Sequence, residues 1–195
     1  MSAPFPLVLA STSRYRAELL RRLGLEFTSF APRVDEAPWP GETPDAMVRR
    51  LSLAKAEAAR VAYPAHLVIA SDQCAVHSGA ILGKPGTPSR AEAQLARFSG
   101  DVVEFLTGLC VLNTATGNIQ LDVVPFRVHF RRLTSDQIAR YVHAETPLDC
   151  AGSFKSEGLG ITLFERLEGD DPNALIGLPL IRLTDFLNTE GLALP

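Results

Sequence analysis

The junction near the N-terminus most constrains how this chain can fold. Residues 5–10, FPLVLA, are apolar at every position and read as a buried strand. The chain then runs through Ser11, Thr12 and Ser13 into a leucine-rich helix, with Ser13 as N-cap, from about Arg14 to Leu23, stopped by Gly24. A second buried strand, "HLVIASD", ends in an acid at Asp72. Strands and helices alternate along the whole chain without internal repeats, and hairpins sit beside strand–helix units. That pattern predicts an α/β fold: a mixed twisted sheet with packed helices, not a purely parallel one. No Pro/Gly-rich linker separates two self-sufficient halves. Residues 1–195 are therefore expected to form a single domain, with two lobes around a central cleft.

The remaining elements follow from caps and periodicity. "EFTSFA" is a short strand, and "VDEAPWPGETP" is a proline-rich loop. Thr43 as N-cap and Pro44 at the first helical position open a helix to about Ala62. "GAILGKPGTPS" is a short strand and turn, and Ser89 with Glu92 forms a capping box for a helix reaching Phe98. Strands follow at about 102–113 and 118–131; Phe126, Val128 and Phe130 share one face of the second, and Arg127, His129 and Arg131 the other. Thr134 with Gln137 caps a helix to about His143, "GITLFERLEG" is a late strand, and "LPLIRLTDFLNTEG" is a closing helix.

The helical periodicity separates two neighbouring arginines. Leu19, Leu20 and Leu23 form an apolar stripe, and Arg16 precedes them by three, four and seven positions, at the head of that stripe. Arg14 points away from it, towards solvent. An inward arginine beside unpaired helix N–H groups, with Ser11 and Ser13 hydroxyls, suits an anion such as phosphate. It equally suits a capped turn whose arginine pairs with a carboxylate. In the longer helix Lys55 falls on the stripe of Val48, Leu51, Ala58 and Ala62. It either snorkels outward or faces a cleft and holds an anion.

The acids offer chemistry to match. Asp72, expected just past the end of its strand, is placed as a metal ligand, a general base, or the cap of the next turn. In "VDE", Glu36 can be an oxygen ligand for Mg²⁺ or Mn²⁺, while Asp35 reads as a solvated loop acid. Lys84, in "LGKPG", is either a turn residue or a third cation for phosphate. His66, His77, His129 and His143 have no metal-ligand spacing, and GxxxxGK[ST], GxGxxG and GxSxG motifs are absent. A net charge of −3 argues against a polymeric nucleic-acid partner. Three dispersed cysteines, no recognisable leader and no long apolar run point to a cytoplasmic protein with no membrane partner.

Taken in order, "LASTSRYR", "VDE", "LAKAEA", "ASDQ", "GKP", "CAGSFKSEGLG" and "IGLPL" resemble the Maf-like nucleoside triphosphate pyrophosphatase family, from about Leu7 to Leu187. "SDQ" and "FKSEG" resemble its 7-methyl-GTP pyrophosphatase branch. The resemblance implies an ITPase/Maf-like fold and a hydrolase that cleaves the α–β phosphate bond of a small-molecule nucleotide with a divalent metal cation, Mg²⁺ or Mn²⁺. Asp72 matches the family's proton acceptor and Glu36 its metal-side acid. Ser11, Ser13, Arg16, Lys55 and Lys84 match phosphate-binding positions, with Lys55 and Lys84 among the catalytic set. Tyr15, Gln73 and Glu157 match positions associated with choice of base. Arg14 stands where the family usually has Pro, and Tyr15 where this branch often has Trp. Family members are often homodimers, so a homodimer is compatible with the resemblance. The alternatives are the same chemistry on dTTP, UTP or another non-standard nucleotide, or a non-catalytic nucleotide sensor linked to cell division.

Overall fold

β1 (Leu7–Ala10) is the strand its sequence predicts, and it is buried along its whole length. In the computed structural model, which describes residues 5–194, it pairs in parallel with β2 (Phe27–Phe30) and with β3 (Leu67–His77). The in-register pairs Leu7–Leu67 and Leu9–Ile69 turn to one face of the sheet, where they pack with Leu19 and Leu20 of α1 (Arg14–Arg21). Leu180, Leu183 and Leu187 of α6 (Leu180–Thr189) complete that layer. Val8, Ala10, Val68 and Ala70 turn to the other face and pack against Ala56 of α2 (Pro44–Glu57) and Ala59 just beyond it. Helices cover both faces, so these strands carry no polar alternation.

The sheet continues through β5 (Val102–Asn113), β6 (Ile119–Phe130) and β7 (Phe164–Glu168), in the order β2-β1-β3-β5-β6-β7. β4 (Ala80–Leu82) pairs antiparallel with the end of β3, and β7 antiparallel with β6. Parallel and antiparallel pairs together make the sheet mixed, as the sequence predicts. The chain divides into two compact units. The first takes the described residues through Gln73, then Thr107–Val124, then those from Asn173 onward; the second takes Cys74–Leu106 and Pro125–Pro172.

Each unit has its own interior. The first is aliphatic, and its helix and sheet meet closely: a Cβ on Gly108 would lie 2.5 Å from the Val48 carbonyl and 2.6 Å from Ser52 Oγ. The second, with α3 (Pro88–Phe98) and α4 (Ser135–Glu145), is aromatic. Phe130 packs its ring against those of Phe98, Phe154 and Phe164 at centroid distances of 5.4, 5.7 and 5.4 Å. Phe126, Val128 and Phe130 are buried on one face of β6, as the period of two predicts. No helix among the described residues is long and apolar enough to cross a membrane.

Several boundaries differ from the sequence reading. α2 ends at Glu57 instead of Ala62, because Ala59 and Arg60 donate back only three residues and tighten the helix into turns. The cap of α3 is Thr87, whose side chain accepts from Arg90 N; Pro88 at the first helical position puts Ser89 inside the helix. The Thr134–Gln137 capping box is present as expected. β3 continues five residues beyond Asp72 to pair with β4, so Asp72 lies within a strand. β7 begins only at Phe164, since Leu159–Leu163 form a 3₁₀ helix. A short helix, α5 (Pro172–Ile176), was not foreseen.

Candidate active site

The N-terminus of α1 is built as the junction sequence suggests. Ser13 caps the helix by accepting from Arg16 N at 3.4 Å, and Ser11 Oγ accepts from Ser13 N at 3.1 Å. Each hydroxyl thus receives a backbone proton and keeps its own proton to donate. Arg14 is exposed, with its guanidinium 4.8 Å from the Tyr15 ring centroid and Nη2 donating to the Tyr15 hydroxyl at 2.8 Å.

Arg16 turns the other way. Its Nε donates to the Gly177 carbonyl at 2.8 Å, and Ser71 Oγ donates to the same oxygen at 2.9 Å. Gly177 has φ +125°, a backbone conformation that favours glycine, and a Cβ there would meet Arg16 Nε at 3.4 Å, an ordinary contact. Burial lowers the Arg16 pKa, while the Asp72 and Glu36 carboxylates act in the opposite direction. No carboxylate among the described residues forms an ion pair with it. Its direct partner is a neutral carbonyl, and the desolvation of its charge is only partly offset.

Lys55 is the centre of the cluster. Its side chain is 8% exposed, and Nζ lies 2.5 Å from Asp72 Oδ1 and 2.7 Å from Glu36 Oε1. Of its two expected courses, the ammonium has turned inward onto two acids. Asp72 is itself buried, and its backbone N–H donates to Ser52 Oγ at 2.9 Å, which ties β3 to α2 one turn before Lys55. Lys55 engages Oδ1, which leaves Oδ2 for a water. Glu36 reaches the same ammonium from the loop between β2 and α2, with a side chain 62% exposed.

Gln73, half-buried, commits its amide nitrogen to Thr107 Oγ1 at 2.9 Å and to the carbonyls of Ala174 and Leu175 at 2.8 and 3.1 Å. Tyr15 is half-buried in the first turn of α1. Lys84 and Glu157 belong to the second unit. Both are exposed; Lys84 has no hydrogen bond or ion pair among the described residues, and Glu157 accepts from Ser156 Oγ at 3.3 Å. Ser52, Ser71 and Gly177 support the cluster but were not singled out in the sequence. "IGLPL" contains Gly177, yet nothing local shows that its carbonyl would receive an arginine.

Glu36 and Asp72 meet at one ammonium, so two carboxylates share a position where positive charge is favoured. Among the described residues no group of three or more His, Cys, Asp and Glu could hold a metal ion. Two carboxylates still fit Mg²⁺, which takes one or two from the protein and completes its shell with water and substrate phosphates.

Comparison with known proteins places the chain in a family. The Maf-like protein family model matches residues 6–190, and the chain belongs to that family. It is 58% identical to the 7-methyl-GTP pyrophosphatase of Pseudomonas aeruginosa over 189 residues, covering 97% of this chain and 98% of that one. A protein of the same name from Nitrosococcus oceani is 56% identical over 189 residues, covering 97% of this chain and 95% of that one. In fold alone, the chain resembles the solved Staphylococcus aureus Ham1 protein, with a TM-score of 0.53 at 16% identity over 95% of this chain and 99% of that chain.

Proposed function

We infer that this protein hydrolyses the α–β phosphate bond of 7-methyl-GTP, releasing 7-methyl-GMP and pyrophosphate. The observation that carries this reading is its likeness, over 97% of its length, to relatives named for that activity. The charged cluster supports it with suitable chemistry. A triphosphate brings several negative charges, and the rate depends on stabilising those that gather on the leaving pyrophosphate. Arg16, held by a carbonyl instead of an acid, has its charge to offer. Lys55 can exchange a carboxylate for a phosphate oxygen, and the Ser11 and Ser13 hydroxyls can donate beside the N–H groups of α1. We assign Lys84 to the phosphates on the family resemblance.

A water attacks the α-phosphorus, the bond to the bridging oxygen breaks, and pyrophosphate leaves with that oxygen. Asp72 accepts the proton of the water, with Lys55 holding its other oxygen in place. Glu36 and Asp72 would hold a divalent cation, Mg²⁺ or Mn²⁺, which supplies charge neutralisation at the phosphates. N7-methylation makes the guanine ring cationic, which suits the face of Tyr15. We assign Glu157 to choice of base on the family resemblance. Gln73 would take part in base choice through its carbonyl end, since its nitrogen is engaged elsewhere. Cys74, Cys110 and Cys150 form no disulfide, which accords with a cytoplasmic location.

The test is pyrophosphate release from 7-methyl-GTP, GTP, dTTP and UTP with Mg²⁺ or Mn²⁺. The expected result is the highest kcat/KM on 7-methyl-GTP. Preference for dTTP or UTP would favour the same chemistry on those nucleotides, and tight binding without release would make it a sensor.

A further inference from the structure

Glu36 poses a positional problem. It lies on a loop without regular structure, its side chain is mostly exposed, and yet it meets Lys55 at 2.7 Å. Burial of Glu36 itself cannot fix it there, because an exposed glutamate loses several rotatable bonds of freedom on being held. The restraint comes from the residues that follow. Asp35 Oδ1 accepts from Ala37 N at 3.0 Å, and Arg50 Nη2 donates to Ala37 O at 3.2 Å. Both sides of the residue after Glu36 are therefore tied.

Arg50, on α2, also binds the far end of the loop. Its Nε and Nη2 donate to the two oxygens of Glu42 at 2.6 and 2.7 Å. Its guanidinium stacks 4.2 Å from the Trp39 ring centroid, and Trp39 N donates to Glu42 Oε2 at 3.1 Å. The Glu42 side chain is 6% exposed and that of Arg50 17%. One guanidinium thus holds the loop at residues 37, 39 and 42, five positions before Lys55 on the same helix. The hydrogen bond from Arg50 keeps the Glu42 carboxyl below the usual carboxylate range, so the fork stays charged at neutral pH.

We propose that Arg50 is a positioning residue for Glu36: its fork on Glu42, its bond to the Ala37 carbonyl and its stacking on Trp39 fix the loop so that Glu36 reaches Lys55. The proposal rests on the reading of Glu36 as a working acid of the site. It concerns a guanidinium, not a charge alone. Lysine keeps the positive charge but supplies neither the two-pronged bond nor the flat face.

A double-mutant cycle of Arg50→Lys and Glu36→Gln, assayed by pyrophosphate release from 7-methyl-GTP, tests it. Fluorescence of Trp39, the chain's single tryptophan, gives a second readout. Arg50→Lys alone should lower kcat/KM by about 10-fold or more, since small misplacements are costly in catalysis. Added to Glu36→Gln it should cost less than about 2-fold, as expected when one residue acts through the other. Trp39 emission and its quenching by acrylamide should change in Arg50→Lys and stay as in wild type in Glu36→Gln. An equal loss in both backgrounds overturns the proposal while leaving the functional reading intact, and so does unchanged Trp39 emission in Arg50→Lys. Full activity of Glu36→Gln removes Glu36 from the reaction, and the proposal falls with it.

Discussion

Two charged clusters, one in each unit, have similar ingredients and opposite settings. In the first unit Arg16 and Lys55 stand with Asp72 and Glu36, and the Lys55–Asp72 pair is almost wholly withdrawn from water. In the second, the strand-borne residues Arg127, Arg166, Glu104, Glu168 and His129 form a surface ladder. Arg166 lies 2.8 Å from Glu168, His129 3.0 Å from it, and Arg127 3.1 Å from Glu104. The Arg166 side chain is 58% exposed and that of Glu168 41%. Water screens such pairs, and each contributes little to stability. In the buried cluster the same charges interact strongly and are costly to desolvate. A ligand that supplies new negative charge gains most there.

The sharpest way to break this contrast is Asp72→Asn, which keeps an oxygen for Lys55 but removes the proton acceptor. The expected loss in kcat is about 10²- to 10⁴-fold, measured as pyrophosphate release with metal present. Retained turnover would place the base elsewhere. Gly108→Ala comes next. The added methyl would press on the Val48 backbone and Ser52, the residue that anchors Asp72, so thermal unfolding should report a loss of about 1–3 kcal/mol. An unchanged Tm would mean that α2 gives way freely.

The smallest effect belongs to the surface ladder. Hydrogen bonds from His129 and then Arg166 hold the Glu168 carboxyl below its ordinary range. A carboxylate with a depressed folded-state pKa contributes stability above the unfolded value, and that contribution is lost as pH falls through the folded one. Wild type and Glu168→Gln should therefore differ slightly in Tm at neutral pH and converge in acid, with kcat/KM the same in both. A Tm difference that grows in acid would contradict that assignment.

Much of the buried cluster was legible because helical geometry is local. The spacing of Arg16 to Leu19, Leu20 and Leu23 gave its direction before any fold was known; Lys55 was placed on the stripe of Val48 and Leu51, but the spacing left open whether its ammonium snorkels outward or turns inward. Asp72 was expected just past the end of its strand and lies within a longer one, since the pairing of β3 with β4 is a tertiary event. Glu36 was chosen without any indication that it would meet Lys55, because an irregular loop carries no period. The Gly177 carbonyl and the Arg50 fork were hidden for a related reason. Each joins residues distant along the chain or across a loop, and no local pattern encodes the partner. The Ser89–Glu92 cap was misread because Thr87, two residues earlier, with Pro88 after it forms the better start.

Arg14 and Arg16 put the contrast between screened and buried charge to its most direct test, since they are two residues apart on one helix. The measurement is kcat/KM for 7-methyl-GTP in Arg14→Ala and Arg16→Ala, side by side. Removing Arg16 should cost about 10- to 100-fold, the worth of a charged hydrogen bond, and removing Arg14 almost nothing. Equal losses, or a greater one at Arg14, would contradict the account.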